Sequence, residues 1–308
     1  MKTSEEIRNT EKENHSDADM QNMKVNENSC CDSDCCTDDA TTTNSEKLKQ
    51  SVKEKYSEIA LQSKETNETS CCGSGCCSDE AYNIMNDDYK DIKGYNPEAD
   101  LGLGCGLPTQ FARMKEGDTV IDLGSGAGND CFIARSEVGE KGKVIGIDFT
   151  EAMIDKARAN AEKLGYNNIE FRFGEIENLP VSAEVADVIV SNCVLNLVPD
   201  KEKAFSEIHR VLKAGGHFSI SDIVLEGELP ENIRKAGEMY AGCISGALQK
   251  EEYMGLIKSA DFKNVVIQKE KPIVIPNDIL SKYLSADEIE TYKESGTGIF
   301  SITVYGEK

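Results

Sequence analysis

Thr119-Val120-Ile121-Asp122-Leu123-Gly124-Ser125-Gly126-Ala127-Gly128 is the stretch whose reading decides the fold. Its first half is a short apolar run with β-branched residues, the pattern of a buried strand. Its second half alternates glycine with small residues, so the backbone turns tightly and approaches a ligand before the helix of Cys131-Phe132-Ile133-Ala134. Outward from there the pattern repeats. Strands are expected at 142–148, 168–173, 185–191 and 217–224, with helices at 151–164 and 201–212 between them. Strand-helix units of this size predict an α/β fold: a doubly wound, mainly parallel Rossmann-like sheet that binds ligands at the carboxyl ends of its strands. Further on, helices are expected around 233–240 and 251–259 and strands at 264–268 and 298–305, with 226–262 and 272–296 read as insertions or a lid.

The loop departs from a dinucleotide fingerprint. G-x-G-x-x-G sets a pyrophosphate on the helix N-terminus, whereas here the last glycine comes one residue early and Asp122 precedes the loop. A carboxylate there suits an amino-bearing or cationic ligand better than a pyrophosphate, and the glycine spacing disfavours a nicotinamide enzyme. Asp148 ends the second strand, where a carboxylate accepts hydrogen bonds from ribose hydroxyls. Gly174-Glu175-Ile176-Glu177, past the third strand, is placed to cover an adenine. With these residues the chain resembles the class I methyltransferases. That resemblance implies S-adenosylmethionine as cofactor, with Gly124, Gly126 and Gly128 along its methionine and ribose, Asp148 on the ribose diol and Glu175 or Ile176 on the base. Asp122, Ser125, Phe149 and Asn192 complete the expected cofactor set. A plain glycine-rich turn is the bland alternative, and three separate elements argue against it.

The 308 residues carry a formal charge of −22. Nucleic acid and anionic membranes are repelled by such a chain, so a small-molecule substrate is expected. No apolar run reaches the length of a membrane span, and the N-terminus lacks the apolar stretch of a secretory signal, so a cytoplasmic location is expected. Twelve cysteines then need an explanation other than disulfide staples.

Eight of them form a repeated pattern, Cys30-Cys31 with Cys35-Cys36 and Cys71-Cys72 with Cys76-Cys77. Adjacent Cys-Cys pairs match zinc sites poorly, and His15, His209 and His217 lack partner spacing. Cys131 reads as a small core residue. Cys105 lies in Leu103-Gly104-Cys105-Gly106, where glycines leave the sulfur little shielding. Cys193 follows the fourth strand in Ser191-Asn192-Cys193, at the edge where a ligand meets the cofactor, and Cys243 lies in Gly242-Cys243-Ile244. Taken singly, each of these three reads more readily as a core cysteine than as a ligand.

Together these surroundings resemble the arsenite methyltransferases. The match runs from about Lys47 to Leu248 through Val52-Lys53-Glu54-Lys55-Tyr56, Ser70-Cys71-Cys72-Gly73, Gly104-Cys105-Gly106, Asn192-Cys193 with Asn196, and Cys243 with Gly246-Ala247-Leu248. The resemblance implies trivalent arsenic, as arsenite or its thiol conjugates, held by Cys193, Cys243 and Cys105 and methylated in arsenic detoxification. It implies that Cys105 works with Cys71 or Cys72, as a third ligand or as a reducible disulfide, and that a thiol reductant such as thioredoxin or glutathione supports turnover. Soft arsenic prefers thiolates to oxygen ligands, and activity is expected to rise with pH through the thiol pKa values. Two departures stand out. Leu103 replaces the aromatic that many members carry beside Gly-Cys-Gly, removing a stacking contact, and the Cys30–Cys36 cluster lies outside the matched region.

The expected organisation is an acidic, disordered tail over 1–45, a helix with a cysteine-rich cap over 46–115, a cofactor-binding core over 116–225 and a substrate-binding or lid region over 226–308. In the helix, Ser45 is the expected N-cap, with Leu48, Val52, Tyr56, Ile59 and Ala60 on its apolar face. Two rivals remain at this stage: a methyltransferase of another small metabolite with incidental cysteines, and a non-enzymatic arsenic or metal buffer.

Overall fold

The computed structural model describes residues 39–62, 87–232, 244 and 246–308. Both paired-cysteine clusters, Cys71 and Cys72 among them, and Cys243 and the helix expected at 233–240 lie outside the described residues. The chain divides into two compact units, 1–41 and 42–308. Of the first, only 39–41 are described, the opening residues of helix α1; everything below concerns the second.

Helix α1 (Asp39–Ala60) begins six residues before Ser45, which is therefore inside the helix and not its cap. Its expected apolar face holds except at one end. Ala60 is buried and Tyr56 and Ile59 pack on the core, whereas Leu48 is 47% exposed. A one-turn helix α2 (Pro108–Phe111), with proline in its first turn, leads into β1 (Thr119–Leu123). Then come α3 (Asn129–Val138), β2 (Lys143–Asp148), α4 (Glu151–Leu164), β3 (Ile169–Phe173), β4 (Ala186–Asn192), a 3-10 turn (Leu195–Leu197), α5 (Lys201–Val211) and β5 (Leu212–Glu226). β6 (Leu248–Gln249), α6 (Lys250–Ser259), β7 (Lys263–Ile273), the short α7 (Asn277–Leu280), α8 (Ala286–Glu294) and β8 (Gly298–Glu307) complete the chain.

The strands form one eight-stranded sheet in the order β3-β2-β1-β4-β5-β8-β7, with β6 paired to β5 off that path. The pairs β1–β2, β2–β3, β1–β4 and β4–β5 are parallel, and β8 runs antiparallel to both β5 and β7. β1 is buried at four of its five positions, as a strand covered on both faces must be. One face carries an apolar core under α5 and α6, the other a core under α1, α3 and α4.

The C-terminal third differs from its expectation. β5 and β7 are longer than expected, because β5 pairs with β8 at every residue from His217 to Glu226. Helix α6 is no insertion: Tyr253 and Ile257 are fully buried in the core, and the Tyr253 ring meets Phe205 edge-on at 5.8 Å. The sheet therefore runs straight across the expected boundary at 225–226. Short-range patterning missed this because β5 and β8 meet only through a long chain excursion.

Among parallel strands, the order reverses between β1 and β4. Connections leave these two strands toward opposite sides, opening a crevice beyond their carboxyl ends. Leu123 ends β1 opposite Ser191 of β4. The glycine loop and Asn192-Cys193 thus leave adjacent strands side by side.

Candidate functional site

An open cleft of about 1140 Å³ occupies that crevice. Glycine-loop residues Gly124, Ser125 and Gly126 line it, as do Asp122, Asp148, Phe149, Glu175, Ile176, Asn192 and Cys193. The structure thus brings together most of the residues that the sequence nominated. Within the expected cofactor set Gly128 is the exception, and of the nominated cysteines that are described Cys105 lies behind Cys193 and does not line the cleft. Gly128 caps α3 at φ +97°, and an added Cβ would lie 2.9 Å from both Phe132 and Phe171, so its role is to let the helix start against two rings. Gly124, at φ +68°, is required for a different reason: a Cβ there would lie 2.4 Å from Val194, the residue after Cys193.

The loop is braced from β2. Asp148 accepts from the Gly126 N–H at 3.0 Å and from the Thr150 N–H at 2.8 Å. Burial raises its carboxyl above the usual range, against the pull of these backbone donors. Asp122 is 2% exposed and accepts from the Cys131 thiol at 3.2 Å. Its carboxyl is pushed well up, by burial first and by the neighbouring Asp130 second. Asp130 is raised to about 6, burial outweighing the hydrogen bonds from Asn192 and Tyr89. Cys131 is fully buried, and burial with the adjacent Asp122 pushes its thiol well up, which makes it a core residue, as the sequence implied.

These groups fit an S-adenosylmethionine. Buried carboxylates without a cation are costly, and an ammonium or sulfonium group supplies one. Ser125 Oγ and Asp130 Oδ1 are buried with no hydrogen-bond partner among the described residues, and such atoms call for a ligand's polar groups. Beside Gly126 a Cβ would meet only the Met153 sulfur, at 4.0 Å, so the loop faces open space.

At the far end of the cleft, Lys49 of α1 bridges Glu175 at 2.7 Å and Glu177 at 3.0 Å. Burial opposes the Lys49 charge, and its two glutamate partners overcome that and raise its pKa. Glu175, expected on the base, is thereby held by a helix that the sequence placed outside the cofactor core. Ile176 is buried beside it.

The thiol side is built differently. Cys193 is 3% exposed and takes a left-handed backbone conformation, φ +61°, immediately after β4. For a non-glycine residue this costs about 1–3 kcal/mol and persists where the surroundings enforce it. The enforcing bond runs from the Cys193 N–H to the Ser221 carbonyl, 2.7 Å. Cys105 corrects an expectation. Its flanking glycines do not expose the sulfur; the residue is fully buried, with Cys193, among Ile223, Leu225, Ile244, Ile273 and Ile299. The glycines serve close packing of the backbone instead, since a Cβ on Gly106 would lie 2.6 Å from Ser221 Oγ. Asn192, expected on the cofactor, lines the cleft while its amide oxygen accepts from the backbone N–H groups of Cys105 (3.1 Å) and Gly106 (3.3 Å).

Lys49, Tyr89 and Asp130 escaped the sequence reading. Asp130 had a readable signal, an acidic residue in the first turn after the glycine loop. Tyr89 had none, because it belongs to no regular element.

A methyltransferase-domain family profile matches residues 114–261. The chain is 41% identical over 221 residues to an arsenite methyltransferase of Halobacterium salinarum, covering 72% of this chain and 54% of that protein. It is 36% identical over 209 residues to the human arsenite methyltransferase, covering 63% of this chain and 55% of that one. It therefore spans about half the length of these curated relatives. It is also similar to the crystal structure of an arsenic(III) S-adenosylmethionine methyltransferase from Chlamydomonas reinhardtii, with 30% identity, a TM-score of 0.56, and coverage of 74% of this chain and 73% of that one.

Proposed function

The chain belongs to the arsenic(III) S-adenosylmethionine methyltransferases, and from that premise we propose that it methylates trivalent arsenic held by cysteine thiolates, in arsenic detoxification. One observation carries the reading: Cys193 lines the same cleft as the loop Gly124–Gly126, on the strand adjacent to it, with Cys105 in the same apolar cluster. S-adenosylmethionine supplies an electrophilic methyl group on a sulfonium. Asp122 and Asp130 would hold its ammonium end, Asp148 its ribose diol, and Ile176 its base.

Arsenite is the substrate. Cys193 and Cys243 would each displace an arsenite hydroxyl, which leaves as water with the thiol proton, and Cys105 would serve as third ligand in the same way or as the partner of Cys71 or Cys72. Three thiolates leave arsenic pyramidal, with its lone pair outward. That pair forms the new arsenic–carbon bond as the carbon–sulfur bond breaks, its electrons leaving on the donor sulfur. Arsenic rises from the trivalent to the pentavalent state, so a thiol such as thioredoxin or glutathione must return two electrons before a second methylation. No general base is needed, and the protein's part is alignment, about 7–11 kcal/mol in well-oriented intramolecular reactions.

The burial of Cys105 and Cys193 favours one rival, a methyltransferase of another metabolite with both cysteines in the core. Purified protein is incubated with arsenite, methyl-labelled donor and a thiol. Labelled methylarsenicals from the wild type, lost in Cys193→Ser and Cys243→Ser, support the proposal. No label in arsenic from a folded, donor-binding wild type sinks it.

A further inference from the structure

Between the glycine loop and the Cys105 loop lies a polar cluster that links cleft-lining Asn192, Asp130 and Tyr89 to the backbone around Cys105. The Asn192 amide nitrogen donates to the Tyr89 hydroxyl at 2.5 Å and to the Gly106 carbonyl at 2.8 Å, while its oxygen receives the Cys105 and Gly106 N–H groups. The Tyr89 hydroxyl lies 3.1 Å from the Gly106 carbonyl and 3.2 Å from Asp130 Oδ2. The Ser301 hydroxyl donates to the Cys105 carbonyl at 2.6 Å, closing the loop from its other side. Both oxygen and nitrogen of one carboxamide therefore grip a loop that is 87 residues away in sequence. Tyr89 is 4% exposed, so its hydroxyl sits where an unmade hydrogen bond is expensive.

We propose that Tyr89 and Asn192 are positioning residues, a clamp that seats Cys105 beside Cys193 and, through Asp130, ties that seating to occupancy of the methyl-donor cleft. The tie is physical. Asp130 Oδ2 takes the clamp's hydrogen bonds, and its Oδ1 is the atom without a partner. A cation that engages Oδ1 orients the carboxylate and with it the Tyr89–Asn192 pair. Linkage makes the effect reciprocal: what the donor does to the Cys105 seat, the seat does to the donor. The clamp rests on the proposed function only in assigning Cys105 to the thiol site.

The test measures alkylation of Cys105 by iodoacetamide in the full-length reduced protein, read by peptide mass spectrometry, with and without saturating S-adenosylhomocysteine. Cys131, which hydrogen-bonds Asp122 and makes no hydrogen bond to Tyr89 or Asn192, is the internal control. In the wild type the ligand slows labelling of Cys105 by roughly fivefold or more, the lower end of ordinary coupling between sites. In Tyr89→Phe, Cys105 labels at one rate with and without ligand, while Cys131 stays protected and calorimetry still records ligand binding; Asn192→Ser abolishes the ligand's effect on Cys105 in the same way. A merely structural role raises the labelling rate but leaves the ligand's protection of Cys105 in place, and that result overturns the proposal. So does a wild type whose Cys105 ignores the ligand. Tyr89→Phe removes a single oxygen and carries the test if Asn192→Ser does not fold. Arsenite is absent from the assay, so failed arsenite methylation and a failed clamp are separate results.

Discussion

The donor half and the thiol half of the cleft sit on adjacent strands and are built on opposite principles. Around the glycine loop the wall is polar, with stacked carboxylates and orphaned oxygens that leave part of their bonding capacity to a ligand. Around Cys105 and Cys193 the wall is isoleucine and leucine, and the backbone is tied to β5, Ser301 and Asn192. The difference teaches where each half stores its specificity. A cationic ligand is recognised by charges that are uncomfortable without it. On the proposed function a soft ligand would be recognised by sulfur, and the apolar shell would keep oxygen donors and water from competing.

The comparison breaks most visibly at Cys193. Cys193→Ser is expected to lower arsenite methylation on the order of 10²-fold, the cost of misplacing a reacting atom, with donor affinity intact. Equal loss of donor binding in calorimetry would mean that the halves are not separable.

A second test lies beneath the thiol half. Asp222 is fully buried on β5, hydrogen-bonded by Tyr253 at 3.2 Å, and burial raises its carboxyl to about 7. Between its ordinary value and about 7 the folded state binds more protons than the unfolded one, so stability falls as pH rises through that window. At order of magnitude the loss is a few kcal/mol. Asp222→Asn flattens this slope, checked by denaturant melts at pH 5 and pH 8. An unchanged slope would place the ionisation cost in the donor-side carboxylates.

On the donor side, Gly124→Ala forces a Cβ against Val194 at positive φ. A loss of about 1–3 kcal/mol and weaker donor binding are expected. Gly126→Ala, which meets open space, should weaken donor binding with a smaller stability loss, about 1–2 kcal/mol from its φ of +50°. Thermal melts alongside donor titration separate the two effects. The smallest effect belongs to Lys49→Ala, about 0.2–1 kcal/mol for a partly exposed ion pair, visible as a donor affinity less sensitive to salt than the wild type's.

Much of the donor half was legible beforehand because its parts are local. Strand, glycine loop and helix follow one another within twenty residues, and Asp148 ends the next strand. Even so, Gly128 proved to be a helix-packing glycine, and Glu175 proved to be bound to Lys49 of a distant helix. The thiol half was legible only as a set of cysteine types in suggestive surroundings. That flanking glycines bury Cys105 rather than expose it follows from Ser221 and Asn192 lying against them, and no local pattern announces such neighbours.

By itself the sequence determined the parallel sheet, its strand-helix alternation and the chemistry of the ligands it is suited to hold, because apolar periodicity, glycine geometry and thiol softness act over a few residues. Tertiary structure alone decided that β8 inserts beside β5, that Cys193 turns left-handed against Ser221, and that Tyr89 and Asn192 grip the Cys105 loop. Those outcomes depend on which distant backbones meet. Hydrogen bonds between residues 87 to 196 positions apart leave no periodic trace along the chain.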